Sequence, residues 1–184
     1  MKISIITVVS GLPRSGTSMM MKMLEAGGLV PFQDGIRLAD ADNPKGYYEY
    51  EKVKDLDKDS SWLHKASGCS IKIISSLLFH LPSDLNYKII FMQRDISEVL
   101  ASQKKMLSRS GQESEVVSDE VMAAKFSIHL RKIKKYLEES DNVHTLYLPY
   151  TEVISSPLDQ AKKVASFLQH DLAINKMAQI VDNN

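Results

Sequence analysis

The segment from Gly11 to Ser18 carries the side chains in this sequence that are best suited to chemistry. It holds one cation, Arg14, beside small and hydroxyl-bearing residues that can approach an anion closely: Gly11, Ser15, Gly16, Thr17 and Ser18. An apolar, β-branched run precedes the segment and a helical pattern follows it. Backbone N–H groups and a helix N-terminus at such a junction form a concave anion site. The pattern predicts a phosphate-binding loop. The alternative, a turn without a ligand, explains the cation and the polar residues at this junction less well.

One position of this loop departs from the Walker A motif of nucleotide-hydrolysing proteins. Thr17 follows Gly16 at the place where that motif has lysine, and the cation of this loop comes earlier, at Arg14. The sequence also has no evident magnesium-binding acid after a strand. A nucleotide-dependent kinase or hydrolase therefore stays an alternative, but one without its key lysine.

Arg94 and Ser102 form a second candidate site for phosphate. Arg94 follows the apolar run YKIIFMQ, and Ser102 lies eight residues later in the next helical pattern. Ligands of open α/β sheets bind beyond the carboxyl ends of the strands, and a guanidinium there can hold a phosphate through two hydrogen bonds. The alternative is an ordinary surface ion pair of Arg94 with Asp95 or Glu98.

The elements that must position these residues alternate along the chain. Apolar runs predict strands over residues 3–9, 71–74, 87–93 and 143–148. Helical spacing predicts helices over residues 17–26 and 95–108, along the stripe from Met122 to Leu137, and after Pro157. Polar residues predict loops over 31–46 and 108–118. This alternation predicts an α/β fold: a three-layer, P-loop-type domain with a mostly parallel central sheet flanked by helices.

Length and composition narrow the class of protein. The 184 residues suit a single domain over 1–184, and 43% hydrophobic with 25% charged residues is ordinary for a globular chain. The formal net charge is +0, which does not favour a nucleic-acid partner. Cys69 is the only cysteine and no apolar run is long enough to span a membrane, so we expect a cytoplasmic protein. The sequence leaves the oligomeric state open.

The loop resembles the 5′-phosphosulfate loop of sulfotransferases that use 3′-phosphoadenosine 5′-phosphosulfate (PAPS). In that family a cation–Ser–Gly–Thr core precedes a helix, as Arg14 to Thr17 do here. A strand-end arginine with a serine eight positions later is the second mark of the family, matched by Arg94 and Ser102. The resemblance implies that the loop, including Ser18, binds the 5′-phosphosulfate and that Arg94 and Ser102 bind the 3′-phosphate.

Two further segments extend the resemblance to the adenine and to the acceptor. Tyr150 follows a late strand and precedes a helix opened by Pro157, as does the family's tyrosine near the adenine, although a tyrosine at the core edge explains it nearly as well. Residues 43–49, NPKGYYE, are similar to a segment of many bacterial sulfotransferase-like proteins. The resemblance makes Glu49 the first choice for a general base, against a solvated acid at the start of a helix.

His80 is the alternative to Glu49 as the base, and Lys72 is the candidate for the family's lysine. Cytosolic members of the family use a histidine as base in a Lys-Thr-His-Leu-Pro motif, and this chain has His80 before Leu81 and Pro82. His80 lies too near Arg94 for that role, whereas Lys72 is closer to the spacing of the family's lysine. We therefore assign Lys72 to the catalytic set with Arg14 and Glu49, and expect His80 to be structural.

The resemblance implies in-line transfer of a sulfuryl group from PAPS to an acceptor hydroxyl or amine, without a metal ion. The acceptor is expected to be a small molecule or a carbohydrate. Many members of the family have a basic, glycine-containing segment near the C-terminus, and this sequence has none. A non-catalytic protein on a decayed sulfotransferase scaffold is therefore a second alternative.

Overall fold

A central sheet of four parallel strands organises the computed structural model, which describes residues 5–36, 47–110 and 117–182. The strands stand in the order β2-β1-β3-β4, and every neighbouring pair is parallel. Their bounds are Ile5–Gly11 for β1, Ser70–Lys72 for β2, Asn86–Gln93 for β3 and Val143–Pro149 for β4. The predicted α/β fold with a parallel sheet is confirmed.

Within the described residues, six α-helices and three short 3₁₀ helices connect and cover the strands. The 3₁₀ helices are Glu51–Asp55, Leu63–Ala66 and Ser75–His80. The α-helices are Thr17–Ala26 (α1), Ile96–Ser110 (α2), Asp119–Glu139 (α3), Tyr150–Ser155 (α4), Pro157–Leu168 (α5) and Ile174–Asp182 (α6). The sequence prediction missed α4 and α6, and it ended α2 two residues early.

The strands are apolar on both faces because helices cover both faces. Val9, Ile90 and Met92 belong to a core shared with α1, α5 and α6, which we call the α1-side core. Val8 and Phe91 belong to a core on the opposite face, shared with α3 and the 3₁₀ segments, which we call the α3-side core. Each fully buried aliphatic side chain contributes about 1.5–3 kcal/mol to these two cores.

The chain leaves β1 and β3 toward opposite faces of the sheet. The connection from β1 runs through α1, and the connection from β3 runs through α2 to α3. In open α/β sheets, the crevice between two such strands is where ligands bind. Both predicted phosphate segments, the loop after β1 and Arg94 after β3, lie at this crevice.

Parts of three predicted segments, one strand and two loops, lie outside the described residues. Strand β1 is described from Ile5, so residues 3–4 of the predicted strand lie outside the described part. The same is true of residues 37–46 in the first predicted loop and of residues 111–116 in the second. In the described ranges, no helix has the length and apolarity needed to cross a membrane.

Candidate active site

The loop between β1 and α1 holds two residues in the left-handed region, one on each side of Ser15. Arg14 has φ 70° and Gly16 has φ 94°. A Cβ on Gly16 would lie 2.6 Å from Cδ2 of Tyr150, so the ring of Tyr150 packs directly on the glycine. Helix α1 then begins at Thr17 with no side-chain cap and no acidic residue in its first turn. Because the first N–H groups of a helix lack partners within it, this end of α1 favours an anion.

Arg94 lies directly above this loop. Its Nη1 donates a hydrogen bond of 3.1 Å to the backbone oxygen of Arg14, and its Nε donates to Oε2 of Glu98 at 2.8 Å. The guanidinium carbon lies 4.3 Å from the centroid of the Tyr150 ring, which is a cation–π contact. The sequence offered a surface ion pair with Glu98 as an alternative, and the structure contains both that pair and the approach to the loop.

Ser102 has a partner that the sequence did not predict. It lies on α2, and its Oγ accepts a hydrogen bond of 3.0 Å from Nε of Arg14. The two predicted phosphate segments are therefore joined through side chains as well as through the backbone. Arg14, Arg94 and Ser102 form one continuous basic and hydrogen-bonding surface at the carboxyl edge of the sheet.

Lys72 ends β2 on the other side of the loop and is only 9% exposed. Its Nζ donates to the backbone oxygen of Tyr47, and it lies 3.3 Å from Oε1 of Glu49 and 3.5 Å from Oγ of Ser18. Burying an ammonium is costly unless it is paired and hydrogen-bonded, and these contacts meet that requirement. The structure thus brings Glu49 and Lys72 together with the first turn of α1.

Of the remaining predicted residues, Ser15 and Tyr150 lie at the loop, whereas His80 lies away from it. Ser15 lies inside the loop with its side chain 1% exposed, and among the described residues its Oγ has no hydrogen-bond partner. Tyr150 follows β4 and begins α4, and it faces both Gly16 and Arg94. His80 lies apart from these residues, exposed at the end of the 3₁₀ helix Ser75–His80.

A cavity of about 380 Å³ opens beside the loop on the α3 face. Its wall is largely apolar and includes Leu12, Phe91, Leu130 and Tyr147, with Arg94 at the border. It lies against β3 and β4, whereas Lys72 ends β2 at the far side of the sheet. Strand β1 lies between β2 and β3, and neighbouring strands are about 4.8 Å apart. The cavity therefore lies on the Arg94 side of the crevice, away from Glu49.

The site contains two features that the sequence pattern did not indicate. The backbone oxygen of Tyr47 contacts Lys72, and the hydroxyl of Tyr48 donates a hydrogen bond of 2.5 Å to Oε2 of Glu25. The paired tyrosines before Glu49 were the available signal, but no local rule says which backbone oxygen a distant lysine will meet. Elsewhere in the described ranges, no three His, Cys, Asp or Glu side chains are grouped to hold a metal ion.

Comparison with known proteins assigns the class. A family model described as the sulfotransferase domain matches residues 6–184. The match covers nearly the whole chain, and the chain therefore belongs to the sulfotransferase family. No curated protein matches the sequence significantly.

Solved sulfotransferases share the fold at low identity. The sulfotransferase domain from the curacin biosynthetic pathway is 14% identical with a TM-score of 0.52, over 92% of this chain and 75% of that one. The sulfotransferase domain of the Synechococcus PCC 7002 olefin synthase is 15% identical with a TM-score of 0.53, over 92% and 74%. Mouse sulfotransferase SULT7A1 complexed with PAP is 16% identical with a TM-score of 0.50, over 98% of this chain and 63% of that one.

Proposed function

We propose that this sulfotransferase moves the sulfuryl group of PAPS to an acceptor hydroxyl or amine. The observation that carries the proposal is the convergence of three cations, Arg14, Lys72 and Arg94, on the N-terminus of α1. They come from the ends of three different strands, so the fold itself assembles them. PAPS carries anionic groups at both its 5′ and 3′ ends. The mouse sulfotransferase was solved with PAP, which is adenosine 3′,5′-bisphosphate, the nucleotide that remains when PAPS loses its sulfuryl group.

The loop binds the 5′ end of the nucleotide, and Arg94 with helix α2 binds the 3′-phosphate. The backbone of Arg14 to Thr17 and the hydroxyl of Ser18 bind the 5′-phosphosulfate at the helix N-terminus. Arg94 and Ser102 bind the 3′-phosphate. The phosphate replaces the exposed carboxylate of Glu98 as the partner of Arg94. Tyr150, stacked on Arg94, offers its ring to the adenine.

Two side chains on the β2 side act on the transferred group. The acceptor oxygen forms a bond to sulfur as the bond from sulfur to the 5′-phosphate oxygen breaks, and PAP leaves with that electron pair. Lys72 stabilises charge on the departing and equatorial oxygens, and Arg14 does the same from the loop. Glu49, next to Lys72 and 26% exposed, takes the proton of the acceptor.

The proposal requires no metal ion. A sulfuryl group carries less charge than a γ-phosphoryl group, and three cations already surround the loop. Thr17 in place of the Walker lysine fits the same chemistry. The acceptor is a small molecule or a carbohydrate that enters from the side of Glu49.

The test is a transfer assay with matched glutamate variants. Wild-type protein is incubated with PAPS and a panel of hydroxyl and amine acceptors, and both PAP and sulfated product are measured. Glu49→Gln should lower turnover at least tenfold with unchanged affinity for PAP. Glu51→Gln is the control, because Glu51 is exposed and pairs with Lys54. Equal turnover of Glu49→Gln and wild type would exclude Glu49 as the base, and magnesium-dependent consumption of ATP would favour a kinase or hydrolase.

A further inference from the structure

We propose that Tyr48 is a positioning residue for the transfer, and that its hydrogen bond to Glu25 holds the bend that presents Tyr47 and Glu49 to Lys72. The proposal rests on the proposed function of Glu49 and Lys72. It adds a residue that touches neither donor nor acceptor, together with a partner on the far end of α1.

The backbone at Tyr48 is strained. Its φ is 52°, in the left-handed region that is unfavourable for a residue with a Cβ. Strained conformations of this kind persist only where surrounding contacts impose them. The ring of Tyr48 is 7% exposed and packs in the α1-side core, and its hydroxyl donates to Oε2 of Glu25 at 2.5 Å.

The bend determines what Lys72 meets. The residues on either side of Tyr48 both contact the Lys72 ammonium, Tyr47 through its backbone oxygen and Glu49 through its carboxylate. On the C-terminal side of Tyr48, the segment from Glu49 to Glu51 is held by Asp34. The N–H of Asp34 donates to the backbone oxygen of Glu49 at 3.3 Å, and its Oδ2 accepts from the N–H of Glu51 at 2.6 Å. Tyr48 thus provides a second anchor, on the opposite side of Glu49.

Helix α1 serves as the template for both contacts. Ser18 and Glu25 are seven residues apart, so they lie on one face and about 10.5 Å apart along the axis. Ser18 reaches Lys72 at one end of the helix, and Glu25 holds Tyr48 near the other. A carboxylate near a helix C-terminus is electrostatically unfavourable, and α1 has no basic residue in its last turn. The hydrogen bond from Tyr48 offsets this cost.

The hydroxyl of Tyr48 keeps its proton over the whole working range of pH. Burial of the ring raises the pKa of Tyr48 far above its usual value, and the hydrogen bond to the Glu25 carboxylate raises the pKa further. Tyr48 therefore remains a donor and cannot act as a proton acceptor. This separates its role from that of a catalytic base.

Tyr48→Phe tests the proposal, because it removes the hydroxyl and keeps the ring. We expect kcat to fall about tenfold, while the KM for PAPS and the affinity for PAP stay within twofold of wild type. Tyr50→Phe is the matched control: Tyr50 packs on Phe32 and Trp62 through its ring. Glu25→Gln keeps an acceptor oxygen and should recover most of the activity that Glu25→Ala loses.

A second readout does not depend on turnover. The rate at which Lys72 is acetylated by an amine-reactive ester, followed by mass spectrometry, should rise several-fold in Tyr48→Phe and in Glu25→Ala. Glu25 is exposed, so Glu25→Ala keeps the test valid if Tyr48→Phe folds poorly. Wild-type kcat and wild-type labelling in Glu25→Ala would overturn the proposal, as would equal losses of kcat and PAP affinity. Altered labelling in a chain that never transfers sulfuryl groups would refute the proposed function and leave the positioning role standing.

Discussion

Replacing Gly16 by alanine should both destabilise the fold and weaken nucleotide binding. The glycine has φ 94°, so alanine there costs about 1–2 kcal/mol through the backbone alone. The added Cβ would also lie 2.6 and 2.9 Å from two carbons of the Tyr150 ring. Relieving such overlap in packed surroundings typically costs about 1–3 kcal/mol.

Gly28→Ala is the matched control for this substitution. Gly28 has φ 103°, and a Cβ there meets nothing within 4 Å. The control therefore carries the backbone cost without the overlap. Denaturant unfolding should show that Gly16→Ala is less stable than Gly28→Ala by about 1–3 kcal/mol.

The affinity for PAP separates the two variants further. In Gly16→Ala the Tyr150 ring must move, which disturbs its contact with Arg94 at 4.3 Å. Calorimetry should give at least a tenfold weaker Kd for PAP, or about 1.4 kcal/mol, and no change for Gly28→Ala. If Gly16→Ala bound PAP as tightly as wild type, the arrangement of Gly16, Tyr150 and Arg94 would not be part of the binding site.

Three further substitutions have definite expected outcomes. Arg94→Ala should weaken PAP binding by about 2–3 kcal/mol, whereas Glu98→Ala should bind at least as tightly as wild type; equal affinities would remove Arg94 from the site. His129 contacts Ser75 at 2.8 Å, and burial lowers the pKa of His129. The unfolded chain therefore binds the proton more readily, so stability should fall as the pH drops below about 6.5. His129→Gln should show a smaller fall in melting temperature between pH 7.5 and 5, and equal falls would contradict this reasoning.

The sheet could be predicted from the sequence because its strands are apolar on both faces. The runs around Val8 and Ile90 have no polar alternation, which is typical of parallel strands covered by helices on each side. The proposed phosphate loop could be predicted for a similar reason: glycine, cation and hydroxyls lie between a strand and a helix. Both signals are local in the chain.

The short helices could not be predicted in the same way. Helix α4 has six residues and follows β4 with only Pro149 as its N-cap, so no periodic pattern develops. Helix α6 packs on α1 and α5, and its placement depends on that tertiary contact. Below about 12 residues, helices owe most of their stability to packing and not to propensity.

The partners of the site residues were also beyond the sequence. Ser102 was expected beside Arg94, and it bonds Arg14 across 88 residues of chain. The contact of Lys72 with the Tyr47 backbone spans 25 residues. Such contacts depend on how the loop after β1 sits between its neighbours, which no local pattern encodes.

Calorimetric titration of the wild-type chain with PAP and with ATP, each with and without magnesium, separates a PAPS-dependent transferase from a nucleotide kinase or hydrolase. We expect PAP to bind more tightly than ATP, with an affinity that magnesium does not change. Only PAP carries a 3′-phosphate, which we propose binds at Arg94 and Ser102, so the preference for PAP should shrink in Arg94→Ala. Tight binding of ATP that requires magnesium, with no response to PAP, would refute the proposed PAPS site.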